Sequence, residues 1–554
     1  MLTNLFDYLR MALYATLIVL VLILYQVWEK DHPPTALPTS TPTISNNYVP
    51  EVVEPKTTGA ALQSGASATS SSAITTGKII HVKTDTMDIS IDTLGGNIKE
   101  VKLLHYDEEL HSNTPYLLLN NATATRYIAE SGLVSSIGPD TKQGQAIYTT
   151  DQTDFVLPSN QNEMQVALHW QNPEGVKITK VFTLKRNSYV IDVSYNILNQ
   201  SNKLYDANLY FELLRTNTPP VNHHGFVNAT YFGAAISSPE KRFQKIPFSD
   251  MTKSRLNQTI TGGWAAMIQH YFVSAWVPDK NVPMQYFTNV TTDGLYTIGM
   301  MSSKVNVSPN ETLQIPAKFY AGPAIAEDLE SAAPGLKLTI DYGWFWFISA
   351  IIFWMMQKIY NVIGNWGWSI VIVTLIIKLL FYHLSAKSYR SMSAMKKLQP
   401  RLTMLKERYG DDKQKFTQAT LELYKKEKVN PMSGCLPILV QIPVFIGLYW
   451  VLIESVQLRQ APWILWIQDL STKDPYYVLP VLMGLSMFLS QRLNPPPPDP
   501  MQAKVMMLMP VIFTALFINF PAGLMLYWFV NNTLSFLQQW YIMRSMEKAS
   551  NVKK

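Results

Sequence analysis

Apolar segments dominate the carboxy-terminal part of this chain, residues 341–554 of 554. One of them, WSIVIVTLIIKLLFYHLSAKSYR at residues 368–390, is long enough to cross most of a bilayer, yet it contains Lys378. A charged side chain at mid-bilayer depth costs about 2.5–3.5 kcal/mol on insertion scales. The lysine therefore either lifts its charge to the interface on its flexible stem or serves a site that needs a cation.

The first apolar segment in this part is residues 341–365. Whether it crosses the membrane determines on which side the basic region after it lies. By length it could span the membrane or lie flat at the interface. If it spanned, the basic region 387–428 would lie outside, so we interpret 341–365 as an interfacial amphipathic helix. A five-helix core at 366–545 follows, with spans predicted at about 366–383, 432–455, 476–490, 504–520 and 522–543.

The charge distribution sets the expected orientation. Of 46 basic and 40 acidic residues, residues 29–342 hold 23 and 29, a net of −6, which leaves +12 for the rest of the chain. Residues 387–428 alone contain 12 basic and 5 acidic side chains, a net of +7. Positive charge concentrated between apolar segments is typical of cytoplasmic loops, and it argues more weakly for a nucleic-acid partner.

The amino-terminal apolar run, Met11–Trp28 within residues 1–30, is predicted to be a signal-anchor transmembrane helix. It is long enough to span and has no small-residue cleavage site after it. Arg10 precedes it and Glu29 follows it, so the amino terminus should face the cytoplasm. Residues 31–77 are rich in Pro, Ser and Thr, a composition that predicts a flexible linker.

Residues 78–340 consist of short runs in which apolar and polar side chains alternate, for example KITKVFTLKRNSYVIDVSYNIL. Turn-rich breaks such as LGGN and NPEG separate these runs. The pattern predicts a large antiparallel β-sandwich domain. Because it follows an anchor whose amino terminus is cytoplasmic, the domain should lie outside the inner membrane.

Residues 384–430 predict a helical hairpin that projects into the cytoplasm, rather than a solvated linker. Apolar side chains recur at steps of three or four residues on both sides of a predicted turn, YGDD at 409–412. Their positions are Met392, Met395, Leu398, Leu402, Leu405, Phe416, Ala419, Leu423 and Tyr424. Residues 546–554 are predicted to be a basic cytoplasmic tail.

Uncharged polar residues in the predicted spans offer surroundings for Lys378. Thr374 lies one turn before it, and no intramembrane carboxylate is placed to neutralise it, since Glu454 falls at the opposite end of its span. Lipid cannot satisfy polar groups, so they face protein or water. The pattern favours a hydrated cavity open to the cytoplasm, with snorkelling of Lys378 as the alternative. The polar residues of the later spans include Gln441, Ser486, Thr514, Asn519, Asn531, Asn532, Thr533 and Ser535.

Several function classes lack their sequence signatures. Cys435 is the single cysteine, which excludes an internal disulfide and a thiolate metal cluster. The sequence contains no HExxH, no Walker loop, no GxSxG and no dinucleotide fingerprint after a strand. We therefore expect no enzymatic activity, no cofactor, no metal and no DNA partner.

Long stretches of the chain resemble the YidC membrane-protein insertases of Gram-negative bacteria. They include NWGWSIVIVTLIIK, LQPRLTMLKERYGDDKQK, KVNPMSGCLPILVQIPVFIGLY and DPMQAKVMMLMPVIFTALFINFPAGLMLYW. The resemblance covers the whole chain and implies a polytopic α-helical membrane protein with six transmembrane helices and a five-helix insertase core. It also implies that the periplasmic domain is an all-β supersandwich similar to sugar epimerases.

The resemblance implies a hydrophilic groove that is open to the cytoplasm and lipid and closed to the periplasm. Lys378 matches the groove cation, where the family usually has arginine, so the charge is kept but the planar fork is lost. The implied groove residues are Lys378, Thr374, Gln441, Asn531 and Asn532, and the implied substrate path comprises Phe445, Met483, Tyr527 and Trp528.

The expected function is insertion and folding of nascent inner-membrane proteins, alone or with the Sec translocon. The hairpin and basic tail would receive the ribosome and signal-recognition targeting factors, and both termini would be cytoplasmic. Two alternatives remain open from the sequence. One is a small-solute transporter or channel, which the lack of paired intramembrane charges disfavours. The other is an envelope sensor whose β domain binds a ligand.

Overall fold

The computed structural model describes residues 77–219, 230–410, 412–427, 429–430, 436–494 and 500–551, all within one compact unit. The predicted anchor at 1–30, the linker at 31–77 except its last residue, and the end of the basic tail lie outside the described residues.

The first half of the described chain folds into two β-sheets. The larger sheet has twelve strands, in the order β15-β18-β19-β12-β5-β3-β2-β1-β8 with β4, β6 and β7 at its side, and the smaller has eight, in the order β14-β13-β16-β17-β20-β11-β10-β9. The strands are β1 Ile79–Lys83, β2 Met87–Asp92, β3 Asn97–Asp107, β4 Pro115–Leu119, β5 Tyr127–Val134, β6 Asp140–Thr141, β7 Gly144–Gln145, β8 Asp154–Val156, β9 Glu163–Gln171, β10 Val176–Lys185, β11 Val190–Asn199, β12 Tyr205–Thr216, β13 Phe232–Ser237, β14 Gln244–Ile246, β15 Asn257–Thr261, β16 Trp264–Gln269, β17 Phe272–Pro278, β18 Pro283–Val290, β19 Leu295–Val307 and β20 Thr312–Pro323.

The alternating sequence pattern places one face of each sheet in a shared core. In β10, Val176, Ile178, Phe182 and Leu184 are buried at every second position. Residues of both sheets belong to one hydrophobic core, and the Trp276 indole of the smaller sheet donates to a carbonyl of β12 in the larger sheet. The sequence prediction of an all-β domain is therefore confirmed.

Charged groups interrupt this core at one place. Lys180 takes an inward position on β10 and is fully buried, and its Nζ donates to the carbonyls of Ser131 at 2.8 Å and Gly95 at 3.2 Å. Burial lowers the pKa of Lys180 to about 7 and raises the pKa of nearby Asp140 to about 7. Glu212, also fully buried, has two carboxylate oxygens without a hydrogen-bond partner among the described residues.

The second half of the described chain is helical. Two short helices, α1 Phe248–Met251 and α2 Ala326–Ala332, belong to the β domain. The others are α3 Trp346–Ile363, α4 Trp366–Leu380, α5 Tyr382–Lys397, α6 Gln399–Tyr409, α7 Lys413–Lys426, α8 Leu436–Glu454, α9 Val478–Leu493, α10 Pro500–Phe517 and α11 Ala522–Asn551.

The helical part presents a broad apolar surface, as expected of a protein surrounded by lipid. Among the described helices, only α3 is long and apolar enough to cross a membrane by itself, and α4 with α5 passes the same test as a pair bent by 67°. Large exposed apolar side chains occur along α3, α4, α9, α10 and α11. They include Trp354, Leu379, Val481, Leu485, Met507, Val511 and Tyr541.

Two aromatic rings of α3 pack on the first residue of α4. Phe353 in the middle of α3 and Tyr360 near its end both stack on Trp366, the first residue of α4, with ring centroids 6.1 and 4.2 Å away. The beginning of α3 lies against Gly447 in the second half of α8. If α3 packed antiparallel along α4, Phe353 would lie near the middle of α4. These contacts therefore favour an arrangement in which α3 runs at an angle to α4.

The predicted hairpin differs from the structure in its first arm. The prediction is one continuous arm, whereas the chain forms α5 and α6 with a break at Leu398. Ala386, Tyr389 and Met392 of α5 share a small apolar core with Ile542 of α11, because their apolar face finds a partner there. The antiparallel pair is α6 and α7, whose far ends are joined by an ion pair of Arg401 and Glu427 at 2.5 Å.

The segment after α8 fixes the β domain to the helical core. Val456 is buried in the hydrophobic core of the β domain, and Arg459 donates to the carbonyl of Asp107 at 2.6 Å. His270, between β16 and β17, donates to the carbonyl of Ile453 in α8 at 2.8 Å. Lys245 and Asp341 form a further ion pair at the same boundary.

The free energy of unfolding should fall as pH rises because of Glu212. Burial, then the neighbouring charge of Glu130, raises the pKa of Glu212 well above its usual 4.5. The folded state therefore keeps a proton that the unfolded state loses, and stability declines by up to about 1.4 kcal/mol per pH unit above pH 4.5.

Replacing Glu212 by Gln should flatten this decline, which urea unfolding followed by tryptophan fluorescence at several pH values would measure. The exposed Glu163→Gln variant is the matched control. An unchanged slope in Glu212→Gln would contradict the assignment.

Candidate functional site

Polar side chains from three helices meet at a common depth in the helical core. The β domain contacts the end of α8, where His270 bonds to the carbonyl of Ile453. The segment after α8 reaches the beginnings of α4 and α11 on the same side, through Asn365 and Ala522. Trp366, Glu454 and Ala522 therefore mark the ends of α4, α8 and α11 on the side of the β domain. At about 1.5 Å per residue, Lys378, Gln441 and Ser535 lie about 18, 20 and 20 Å beyond those ends. The candidate site is therefore in the half of the core that is remote from the β domain.

Lys378 stands in the last turn of α4 and is 8% exposed. Its Nζ donates to Ser535 Oγ of α11 at 2.6 Å, and Ser535 Oγ in turn donates to the carbonyl of Asn531 at 2.7 Å. No salt bridge joins Lys378 to a carboxylate in the part of the chain that the structure describes. A hydroxyl is thus the hydrogen-bond partner of a nearly buried cation.

The helix break beside Lys378 shapes this site. The predicted span at 366–383 ends early in the structure, because α4 stops at Leu380 and the chain bends by 67° into α5. The bend returns α5 to α11, where Tyr389 also interacts with the Ser535 hydroxyl. Ser385 and Ser388 of α5 are buried on the same helix. The Ser535 hydroxyl therefore joins Lys378 of α4 to Tyr389 of α5.

The other predicted groove residues continue the polar cluster. Asn531 donates to Gln441 Oε1 at 3.2 Å, which links α11 to α8. Thr374 is buried one turn before Lys378 and bonds to the carbonyl of Ile370 in its own helix. The side-chain amide nitrogen of Asn532 is buried without a partner among the described residues. A buried donor of this kind costs about 1–3 kcal/mol unless water or a ligand accepts its hydrogen bond.

The predicted substrate-path residues lie nearer the β domain than the polar cluster does. Phe445 packs against Tyr527 and Trp528, with ring centroids 6.5 and 5.2 Å away, and Met483 is fully buried in the same apolar core. They fill the half of the core next to the β domain with rings and apolar side chains. The indole nitrogen of Trp528 is buried without a partner in the described part of the chain.

Asp474 positions the helix that carries Met483. Its side chain is fully buried before α9 and accepts hydrogen bonds from the Trp466 indole at 3.0 Å, Tyr476 N at 3.0 Å and Leu479 N at 2.7 Å. Leu479 N belongs to the first turn of the helix, where no carbonyl is available within the helix, and Tyr476 N lies in the turn that precedes it.

Sequence reasoning missed two features of the site. Ser535 was one of several polar residues, although Asn531, Ser535 and Gln539 at four-residue steps mark one polar face of α11. The sequence indicates the role of Asp474 only weakly, because the sole sign is an aspartate a few residues before an apolar helix. Within the described residues, no group of three or more His, Cys, Asp or Glu could hold a metal ion.

Family comparisons match nearly all of the described chain. A family model described as YidC periplasmic domain matches residues 79–355, and one described as 60Kd inner membrane protein matches residues 358–549. A relative named membrane protein insertase YidC, from Legionella pneumophila strain Paris, is 46% identical over 99% of both chains. The chain belongs to the YidC family of membrane protein insertases. The β domain is accordingly the periplasmic domain of the family.

Other YidC relatives show similar identity. The protein from Pseudomonas entomophila is 45% identical over 98% of this chain and 99% of that one, and the protein from Coxiella burnetii strain RSA 331 is 44% identical over 98% and 97%. Both are named membrane protein insertase YidC.

Two solved structures are also similar. One, described as an active YidC insertase with the first transmembrane domain resolved, is 19% identical with a TM-score of 0.39 over 84% of this chain and 95% of that one. The other is a galactose mutarotase related enzyme from Lactobacillus acidophilus, 9% identical with a TM-score of 0.31 over 44% and 97%. The family assignment rests on the sequence relatives.

Asp474→Ala should destabilise the helical core by about 1–3 kcal/mol, because it leaves the buried Leu479 N–H and two partly buried N–H donors without an acceptor. Thermal unfolding of the purified protein in detergent would measure the loss. Asp293→Ala, at an exposed turn, is the control. Equal unfolding temperatures for Asp474→Ala and Asp293→Ala would contradict the capping role.

Proposed function

We propose that this chain inserts membrane proteins through a polar groove that opens to the cytoplasm and is closed towards the periplasm. The main support for this proposal is the nearly buried ammonium of Lys378, which bonds to the Ser535 hydroxyl and to no carboxylate among the described residues. A cation held in this way attracts an acidic or polar segment of a substrate more strongly than it would in water, because the surrounding medium screens charge less.

The order of side chains along the core supports closure on the periplasmic side. The periplasmic domain contacts the end of α8. The packed rings of Phe445, Tyr527 and Trp528 lie closer to that side of the core than the polar cluster does. The polar cluster lies beyond them, towards the basic helices α6 and α7. A substrate segment would thus enter from the cytoplasmic side and meet an apolar barrier about halfway.

The boundary between α8 and α10 offers a lateral exit towards lipid. These helices meet through the rings of Phe445 and Phe517, 6.4 Å apart, rather than along a packed face. The outer surface of α10 is apolar, with Met507 and Val511 each 64% exposed. Transfer of an apolar substrate span to lipid, at about 25 cal/mol per Å², supplies free energy without a nucleotide.

The proposed topology has six crossings, with both termini in the cytoplasm. In this topology α3 lies flat at the periplasmic interface, which its contacts with Trp366 and Gly447 support. The basic pair α6 and α7 and the tail would receive the ribosome and targeting factors, and the periplasmic domain would contact the Sec translocon. The transporter and sensor alternatives gain no support, since the relatives are named insertases.

Charge at Lys378 should decide insertion by the purified chain. We expect a single-span substrate with a short acidic tail to become protease-protected in liposomes that contain the unmodified chain or Lys378→Arg. Lys378→Ala should lower the yield at least about fivefold, because an attraction of about 1 kcal/mol or more is lost. Lys378→Glu should lower it further through repulsion.

Snorkelling alone makes a different prediction for the same experiment. If all four proteins protect the substrate equally, Lys378 is not the working group of the groove. If the unmodified chain itself gives no protection, the proposal of independent insertion is wrong.

A further inference from the structure

A cavity of about 510 Å³ lies between the periplasmic domain and the helical core. Its walls come from β4, the β16–β17 turn, the end of α8, the segment after α8 and the α10–α11 junction. The groove proposed above does not include it. The wall residues that matter here are Tyr116, Arg215, Gln269, Tyr449, Arg459 and Phe520.

Arg215 brings a buried cation to the cavity wall. It is 4% exposed, and its guanidinium lies between the rings of Tyr127 and Phe232, 4.4 and 4.3 Å from their centroids. Its Nη1 donates to Gln269 Oε1 at 2.9 Å, and Gln269 in turn donates to the Tyr116 hydroxyl. Burial lowers the pKa of Arg215 to about 10, which leaves it charged at neutral pH.

Arg459 brings a second cation from the core side. Its Nη2 donates to the carbonyls of Asp107 at 2.6 Å and Glu108 at 3.0 Å, while its Nη1 is buried with no hydrogen-bond partner among the described residues. Neither Arg215 nor Arg459 forms a salt bridge in the described part of the chain.

Asp469 is the partly buried acidic group of the cavity, and it lies near enough to Arg459 to feel its charge without forming a salt bridge among the described residues. Asp469 accepts hydrogen bonds from the backbone and hydroxyl of Ser471, and burial raises its pKa. Glu108 and Glu109 are exposed at the rim, as is Lys473. The interior thus offers two guanidinium groups, a pattern that suits carboxylates.

A continuous chain of aromatic rings joins the cavity to the predicted substrate path. Phe445 contacts Phe517 at 6.4 Å, Phe517 contacts Phe520 at 4.8 Å, and Phe520 contacts Tyr449 at 6.0 Å between centroids. Phe520 and Tyr449 line the cavity. The cavity therefore lies on the periplasmic side of the aromatic packing that closes the proposed groove.

We propose that this cavity receives the translocated segment of the substrate and binds its carboxylates through Arg459 and Arg215. The inference rests on the proposed insertase function and adds a binding site at the end of the route. A segment drawn in by Lys378 carries acidic side chains, and guanidinium groups bind carboxylates through paired hydrogen bonds. The aromatic walls would pack against the rest of the peptide.

Disulfide trapping in liposomes tests this site. In a Cys435→Ser background, Thr472→Cys places a thiol on the cavity wall, and Thr292→Cys places one on an exposed turn between β18 and β19. The substrate carries one cysteine in a translocated tail that contains either aspartates or asparagines. An added oxidant forms the disulfide, and protease protection in the same vesicles measures insertion.

We expect Thr472→Cys to trap the aspartate tail in preference to the asparagine tail, per inserted molecule, and Thr292→Cys to trap neither. Arg459→Gln should lower trapping of the aspartate tail about tenfold, equivalent to about 1.4 kcal/mol. Lys142→Gln removes the same charge from an exposed turn about 23 Å along β5 from Tyr127 and should change nothing.

The possible failures are distinguishable. If both tails insert but Thr472→Cys traps them equally, the cavity is not a carboxylate site, although the insertase function stands. The comparison of tails uses the unmodified Arg459, so it holds even if Arg459→Gln disturbs the domain boundary. If the unmodified chain inserts neither tail, the proposed function and this inference are both wrong.

Discussion

The hydrogen bond from Lys378 to Ser535 is the contact on which the proposed function depends. An ammonium at this depth loses much of its hydration, and one hydroxyl returns only a part of it. From Ser535 the hydrogen bonds continue to Asn531 and Gln441, and Tyr389 of α5 meets the same hydroxyl, so the partners on this side are uncharged. The positive charge therefore remains available to an incoming acidic group, which a salt bridge would have prevented.

The periplasmic domain is attached to the opposite side of the helical core. Val456 is inserted in the β-sandwich core, Arg459 and His270 bridge the boundary, and Asp474 holds the beginning of α9. These contacts hold the end of α8, which carries Phe445, and the beginning of α9, which carries Met483. The remote ends, where α4 bends into α5, are joined to the periplasmic domain by none of these contacts. The proposed groove, closed on the periplasmic side and open on the cytoplasmic side, is consistent with this asymmetry.

The sequence predicts the elements of this structure better than their junctions. The helices lie close to the predicted spans, as with 522–543 inside α11, because long apolar runs are strong signals. The alternating runs predict the β domain, because a repeat of apolar side chains at every second residue is also a strong signal. The bend at Phe381 and the packing of α5 on α11 follow from tertiary contacts that have no local signature. The cavity beside Arg459 depends on residues more than 350 positions apart in the chain, such as Asp107 and Arg459, so its residues could not be grouped from the sequence.

Access of water to position 378 tests most directly whether the groove around Lys378 is open to the cytoplasm. Lys378→Cys in the Cys435→Ser background would be exposed to a membrane-impermeant thiol reagent from either side of vesicles, with Leu375→Cys on the exposed apolar face of α4 as the control. A groove open to the cytoplasm predicts labelling of Lys378→Cys from the cytoplasmic side and no labelling of Leu375→Cys. Labelling from the periplasmic side, or none at either position, would contradict it.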